Sequence, residues 1–298
     1  MTMDLKAYLK EKRLVVDEAL ERVFPEPEGH AANVVKAMRY SLFAGGKRLR
    51  PILCMAGAEA VGGEGTSVLP AACALELIHT YSLIHDDLPI MDDDDLRRGK
   101  PTNHKVFGEA VALLAGDGLL TEAFRLMGRI EAFRGVKPEA VLRVISMIAE
   151  AAGYRGMVGG QTVDIQSEGQ QVEPHLVTFI HAHKTGALIA ASVTAGAILG
   201  GGDEEHVTAM HAYGENIGLA FQIADDILDV EGDSEKMGKG VGGDAQKRKI
   251  TYPGLLGLDK SKETQKALID GAKDFLKIFD HRADPLRNLA TYIIERKR

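Results

Sequence analysis

Three absences narrow the classes of protein to which this 298-residue sequence can belong. It has only two cysteines, Cys54 and Cys73, both in apolar stretches, which excludes a disulfide framework or a cysteine metal site and favours a cytoplasmic location. Positive charge is not in excess: 36 Lys and Arg against 43 Asp and Glu give a net charge of -7, the wrong sign for coating nucleic acid or anionic lipid. The first 20 residues carry charges throughout and lack the apolar core of a signal peptide.

Long hydrophobic runs and strand-like alternation are also scarce. One uncharged stretch, 185–202, approaches transmembrane length, but it is mostly Ala, Gly, Ser and Thr. We therefore expect a closely packed helix within a bundle and no membrane span. With 45% hydrophobic and 27% charged residues, the chain can bury a large core.

Helical periodicity is the dominant pattern. Leu5, Leu9 and Leu14 recur with charges between them, as in an amphipathic helix that Pro25 would end. Further helices are predicted at 30–43, 51–61, 67–88, 105–114, 117–132, 137–153, 174–200, 204–230 and 262–278. The gaps are short, and no linker or repeat divides the chain. The sequence thus predicts one all-α domain, a single large helical bundle spanning 1–298.

The first aspartate cluster, Asp86, Asp87 and 92–95, places six carboxylates within ten positions after an apolar helical run. Carboxylates this close repel one another unless cations neutralise them. Mg²⁺ takes oxygen ligands, typically one or two carboxylates with water and substrate phosphate. Pro89 breaks the helix, so Asp92 can converge with Asp86 and Asp87 on a metal. Taken alone, the run could equally be a solvated acidic turn that caps the next segment.

The second aspartate cluster, Asp225, Asp226 and Asp229, lies in an otherwise apolar helix. The i, i+4 spacing puts Asp225 and Asp229 on one helix face, where two like charges are unfavourable without a ligand. This favours a cation site, although Asp226 could simply point to water.

Basic residues accompany both clusters. Lys47, Arg48 and Arg50 follow a glycine pair, and Arg97 and Arg98 follow the first aspartate cluster. Arg binds phosphate oxygens with its fork of donors, and Lys supplies a point charge. Either run alone could be an ordinary basic helix end. Two carboxylate clusters combined with two basic clusters describe a pocket for two phosphorylated ligands, one held through metal and one held directly.

In its motifs the chain resembles the short-chain trans-polyprenyl diphosphate synthases of the bacterial farnesyl diphosphate synthase type. The motifs that carry the resemblance are, in chain order, Gly45-Gly46-Lys47-Arg48-Leu49-Arg50-Pro51, Glu76-Leu77-Ile78-His79, the first aspartate cluster with Leu96-Arg97-Arg98-Gly99-Lys100-Pro101-Thr102, Gly116-Asp117, Gly159-Gly160-Gln161 with Asp164, Lys184-Thr185-Gly186, Gln222 with the second aspartate cluster, and Lys249 with Thr251-Tyr252-Pro253. Each motif is weak alone, but the ordered set is specific and covers nearly the whole chain.

The resemblance implies an isoprenoid synthase bundle with a central substrate cavity, assembled as a homodimer. It also implies about three Mg²⁺ ions bound through carboxylate oxygens. The implied metal ligands are Asp86, Asp87, Asp92, Asp225, Asp226 and Asp229.

The resemblance further implies which residues hold the two substrates. The residues implied for the allylic diphosphate are Arg97, Lys184, Lys239 and Lys249. The residues implied for isopentenyl diphosphate are Gly46, Lys47, Arg50, His79 and Arg98. The residues implied beside the reacting carbons are Lys184, Thr185 and Gln222. The chain departs from the family in one loop, where Gly242-Gly243-Asp244 stands in place of a frequent Gly-Lys-Asp and one cation is missing.

The implied reaction is a head-to-tail condensation. Cations stabilise the departing pyrophosphate, the isopentenyl double bond attacks the allylic cation, and pyrophosphate can accept the released proton. No histidine base is therefore required. His181 and His183 point to different helix faces, so we interpret them, like His85, as structural.

Chain length depends on Tyr81, which lies five positions before Asp86, or roughly 7.5 Å along a helix. A ring there can close the hydrocarbon pocket, whereas Ser82 beside it cannot. In the family, an aromatic residue at this position is typical of farnesyl (C15) synthases and a small one of geranylgeranyl (C20) synthases. We predict the C15 product, with C20 as the alternative and core packing as the other role for Tyr81.

Two further functions compete. A class I terpene cyclase shares the fold and the first motif, but it binds a single diphosphate and usually has an Asn/Ser/Glu-type second motif. A non-catalytic subunit of a heteromeric prenyl synthase would be expected to have damaged aspartate motifs, and both are intact here.

Overall fold

The computed structural model describes residues 3–24, 26–170, 173–231 and 251–295. Within these ranges the chain is almost wholly helical, and strands are limited to one short hairpin of β1 (Leu96–Arg97) and β2 (Lys100–Pro101). The helices are α1 (Leu5–Val23), α2 (Ala32–Leu42), α3 (Leu49–Ala60), α4 (Leu69–Asp86), α5 (Asn103–Phe107), α6 (Glu109–Met127), α7 (Pro138–Ala152), α8 (Met157–Ser167), α9 (Pro174–Ile180), α10 (Ala187–Leu199), α11 (Glu204–Glu231), α12 (Tyr252–Leu256), α13 (Leu258–Phe275) and α14 (Asp284–Glu295). The expected all-α class is confirmed.

Local signals fix several helix ends. The Asp4 carboxylate caps α1 by accepting hydrogen bonds from the backbone N–H groups of Lys6 at 2.9 Å and Ala7 at 3.1 Å. Pro138 and Pro174 each occupy the first turn of a helix, where the missing N–H costs nothing. The chain therefore starts these helices without help from distant contacts.

Helix α10 forms the centre of the bundle and packs against α3, α7 and α11. Nearly all its residues are buried, and its small side chains let backbones approach closely. A Cβ added at Gly196 would clash with the backbone oxygen of Cys54 on α3. Two segments, Gly65–Asp86 and Pro174–Leu199, are apolar and long enough to span a membrane, but most of each is buried inside the protein. Core packing thus accounts for the uncharged stretch at 185–202.

The predicted helix boundaries were wrong in three places. Helix α6 runs without a break through Gly116, whose missing side chain makes room for the His85 ring. Helix α8, which contains Gly159 and Gly160, was not predicted. In the structure a Cβ at Gly160 would meet the backbone at Lys184, so this glycine serves close helix packing. Helix α14 was also missed.

Candidate active site

A cavity of about 1620 Å³ opens between α3, α4, α8, α10 and α11. Pockets for a single small ligand usually measure about 300–1,000 Å³, so this one has room for two. The predicted site residues that line it are Gly46, Lys47, Arg50, His79, Tyr81, Asp86, Asp92, Arg97, Arg98, Lys184, Thr185, Gln222, Asp225 and Asp229. Lys239, Lys249 and the departure at 242–244 lie outside the described residues.

The first aspartate cluster forms where α4 ends. The backbone N–H of Asp92 donates to the backbone oxygen of Asp86 at 2.8 Å, so the following loop folds back and places the two residues together. Burial raises the pKa of Asp86 to about 6; Lys184 opposes this shift, and the Asp92 carboxylate adds to it. A buried carboxylate beside another carboxylate is stabilised by a bound cation.

Asp87 is placed differently from Asp86 and Asp92. It is buried and does not line the cavity, and its carboxylate accepts hydrogen bonds from Arg97 Nε at 2.7 and 2.8 Å. Since Arg97 itself lines the cavity, Asp87 holds this cation at the cavity wall. Asp87 thus differs from Asp86, which directly precedes it, in facing Arg97 and not the cavity.

The second aspartate cluster divides in the same way. Asp225 and Asp229 line the cavity, whereas Asp226 is only 4% exposed and lies outside it. Its Oδ2 accepts hydrogen bonds from His181 Nε2 at 2.8 Å and from the backbone N–H of Tyr252 at 2.9 Å. Adjacent helical residues point about 100° apart, so Asp226 cannot share the face of Asp225. The prediction of Asp226 as a metal ligand is not supported by this placement, and neither is the alternative that it points to water.

Arg48 borders the cavity like its neighbours in the first basic run, but its side chain is buried and paired with carboxylates. It adopts a left-handed backbone conformation (φ 52°), is 3% exposed, and donates to Glu76 at 2.8 Å and Asp17 at 2.7 Å. From the sequence, Arg48 was placed with Lys47 and Arg50 as a phosphate-binding run. Sequence spacing could not identify its two carboxylate partners, which lie far away along the chain. Its role is to fix the turn from which Lys47 and Arg50 reach the cavity.

The part of the cavity lined by Lys47, Arg50 and Arg98 is strongly cationic. Burial lowers the pKa of Arg50 to about 10. Among the described residues its Nε, though buried, has no hydrogen-bond partner. Burial, and then the charges of Arg50 and Arg98, hold the pKa of His79 well below its usual range. An anion placed here would satisfy the unpaired donor and relieve the repulsion among these groups.

This low pKa predicts a pH-dependent stability. Above about pH 6.5 His79 is neutral in both states, and as the pH falls below that value the unfolded chain binds a proton that the folded site refuses. The free energy of unfolding should therefore fall by up to about 1.4 kcal/mol per pH unit on account of this group. We expect His79→Gln to lose less stability than the wild type between pH 7.5 and 5.5 in urea unfolding. Parallel pH profiles for the two proteins would contradict the assignment.

Lys184 and Thr185 lie on a π-helical turn, His181–Gly186, that joins α9 to α10. Such turns occur frequently at functional sites. The Lys184 ammonium donates to Asp164 Oδ2 on α8 at 2.6 Å. On the same helix, Gln161 Oε1 is buried without a hydrogen-bond partner in the described part of the chain. No role was predicted for Gln161 or Asp164, although both belong to motifs of the resemblance.

Tyr81, which is 7% exposed, also lines the cavity. Its ring meets His85 edge to face with centroids 5.7 Å apart, and His85 Nε2 donates to the backbone oxygen of Leu113 at 3.0 Å. His85 thus braces Tyr81 against α6. The apolar residues in the cavity lining include Met157, Val158, Ile189, Phe221 and Leu228.

The carboxylates that line the cavity suit an Mg²⁺ site in which the substrate supplies some of the ligands. No group of three His, Cys, Asp or Glu within the described ranges forms a ready metal cage. Mg²⁺ usually takes only one or two carboxylates and completes its shell with water and phosphate. Asp86 and Asp92 on one wall and Asp225 and Asp229 on another supply such oxygen donors.

Comparisons with known proteins agree with this geometry. The sequence profile described as polyprenyl synthetase matches residues 31–277. A farnesyl diphosphate synthase of Geobacillus stearothermophilus is 50% identical over 278 residues, or 93% of each chain. The chloroplastic heterodimeric geranylgeranyl pyrophosphate synthase large subunit 1 of Arabidopsis thaliana is 49% identical over 99% of this chain and 80% of its own. The apo crystal structure of an FPP/GFPP synthase from Zymomonas mobilis superposes with a TM-score of 0.87 at 39% identity, covering 99% of this chain and 100% of that one.

Proposed function

Since the chain belongs to the polyprenyl synthetase family and is a prenyltransferase, we propose that it extends dimethylallyl and geranyl diphosphate with isopentenyl diphosphate and stops at farnesyl diphosphate (C15). The observation that supports the C15 product is the buried Tyr81 ring in the lining of the cavity. Relatives of similar identity are named both farnesyl and geranylgeranyl synthases, so the C20 product is the alternative.

The residues of the cavity divide between the two substrates. Lys47, Arg50 and Arg98 hold the diphosphate of isopentenyl diphosphate directly, with the neutral His79 beside them. Lys184 and Arg97, which also line the cavity, hold the diphosphate of the allylic substrate. This arrangement fixes the two reacting carbons next to each other, which removes much of the entropic barrier to their union.

The carboxylates of Asp86, Asp92, Asp225 and Asp229 would hold Mg²⁺, which when bound neutralises charge on the departing pyrophosphate. The allylic C1–O bond breaks with its electron pair on pyrophosphate, and the isopentenyl double bond supplies the pair for the new carbon–carbon bond. A proton then leaves the former isopentenyl unit for pyrophosphate. Thr185 and Gln222 present oxygen dipoles to the cation formed between these steps.

Tyr81→Ala tests the proposed product length. Removing the ring opens the floor of the cavity, so we expect products of C20 or longer in place of C15. The measurement uses labelled isopentenyl diphosphate with a geranyl starter and chromatography of the dephosphorylated products. Tyr81→Phe, which keeps the ring, should retain C15. Unchanged product length in Tyr81→Ala would remove Tyr81 from this role, and a wild type that makes C20 would establish the alternative.

The same assay distinguishes the other functions. Purified protein is incubated with Mg²⁺, isopentenyl diphosphate and separate dimethylallyl, geranyl or farnesyl starters, and pyrophosphate release is followed. Release that needs isopentenyl diphosphate supports the synthase, and release from an allylic substrate alone would indicate a cyclase. No release with any starter would leave the non-catalytic subunit. Homodimeric assembly, testable by light scattering, and a cytoplasmic location stay predictions from the sequence.

A further inference from the structure

A buried polar network surrounds the one member of the second aspartate cluster that does not line the cavity. At its centre is Asp226, which is almost fully removed from solvent and accepts two hydrogen bonds at one oxygen, from His181 and from the backbone of Tyr252. A buried carboxylate is costly unless such donors surround it, so a site of this kind persists only where the contacts are well defined.

The network ties three separate elements together. His181 is the first residue of the π-helical turn, Asp226 lies on α11, and Tyr252 begins α12. The Tyr252 ring stacks on His181 with centroids 5.5 Å apart, and its hydroxyl forms a 2.7 Å hydrogen bond with Thr178 on α9. Val177, Ile223 and Ile227 form an apolar cluster with Tyr252. The three elements therefore meet in a dry, closely packed junction.

Two of these three elements, α11 and the π-helical turn, carry residues of the active site. The hydrogen bond of Asp226 fixes the rotation of α11 about its axis. This rotation in turn directs the neighbouring Asp225 side chain into the cavity. Lys184 is three residues after His181 and Thr185 four, on a turn wider than an α-helix. Fixing His181 fixes where this turn starts, and so where both side chains enter the cavity.

We propose that Asp226 is a positioning residue that sets the relative placement of Asp225 and Lys184, and that it is not a metal ligand. The proposal rests on the proposed function, in which those two residues act on the allylic diphosphate. It assigns different tasks to two adjacent aspartates: Asp225 binds the cation, and Asp226 joins α11 to the π-helical turn.

The test compares Asp226→Ala, Asp226→Asn and Asp225→Asn in the full chain. Loss of the buried acceptor in Asp226→Ala should lower kcat by about 10- to 100-fold while the Mg²⁺ concentration for half-maximal rate changes less than about twofold. Asn keeps an acceptor oxygen for both donors, so Asp226→Asn should recover most of the rate. Asp225→Asn should raise the half-maximal Mg²⁺ concentration by about tenfold or more.

A second readout does not depend on activity. In EDTA, Asp226→Ala should lower Tm by about 3–6 °C because buried donors lose their partner, whereas Asp225→Asn should not lower it. If Asp226→Ala unfolds, His181→Phe replaces it, since Phe keeps the stacked ring and removes the N–H donor. Where Asp226→Ala folds, its rate loss and that of His181→Phe should be non-additive in the double variant, because both break the same hydrogen bond.

Three results would overturn the proposal. One is an Mg²⁺ requirement that shifts as far in Asp226→Asn as in Asp225→Asn, which would make Asp226 a ligand. Another is a lowered Tm with unchanged kcat in Asp226→Ala, which would make the network purely structural. A wild type inactive with every starter would overturn the proposed function itself and this inference with it.

Discussion

Replacement of Asp86 by Asn should lower kcat by about 10³-fold, since cation stabilisation of departing charge is worth several kcal/mol and each 1.36 kcal/mol is tenfold in rate. Asp86 ends α4, lines the cavity beside Asp92, and lies where burial raises the pKa of its carboxyl. Asn preserves the shape of the side chain but supplies no negative charge. Steady-state pyrophosphate release at saturating substrates measures the effect.

Asp93→Asn is the matched control. Asp93 belongs to the same loop but does not line the cavity, and its left-handed conformation (φ 49°) is one that Asn adopts readily. Its rate should stay close to that of the wild type. The Asp86→Asn protein should also keep its Tm, because a buried charge has been removed. Comparable rate losses in both variants would refute the placement of the metal site.

The largest stability effect is expected for Arg48→Met, which should lower the free energy of unfolding by about 3–5 kcal/mol. The substitution leaves Glu76, itself 2% exposed, buried without its charge partner, and it also removes the hydrogen bond to the backbone oxygen of Leu42. Urea unfolding followed by circular dichroism gives the change, provided that the transition is two-state.

Two comparisons make this prediction specific. Lys47→Met, at the exposed neighbouring position, should change the free energy of unfolding by less than about 1 kcal/mol. The double variant Arg48→Met with Glu76→Leu should be more stable than Arg48→Met alone, because no unpaired buried charge remains. A double variant as unstable as the single one would show that packing, and not charge pairing, sets the cost.

Residue spacing predicted part of the active site, because spacing shows which residues of one helix lie on the same face. The i, i+4 pair of Asp225 and Asp229 does share the cavity face. Spacing does not tell which face of a helix is buried, and this is why Asp226 was grouped with them. Arg48 and Lys184 show the other limit: their partners Glu76 and Asp164 lie 28 and 20 positions away, and only the folded chain brings them together.

The close contact of α3 with α10 has a consequence for how this enzyme could diversify. The backbones of the two helices are already in close contact at Gly196, so the distance between them can change little. Differences in capacity must then come from single side chains at the rim or floor, such as Tyr81. Under the proposed function, one codon at position 81 would alter product size while the scaffold stays unchanged, so selection could adjust chain length in small and reversible steps.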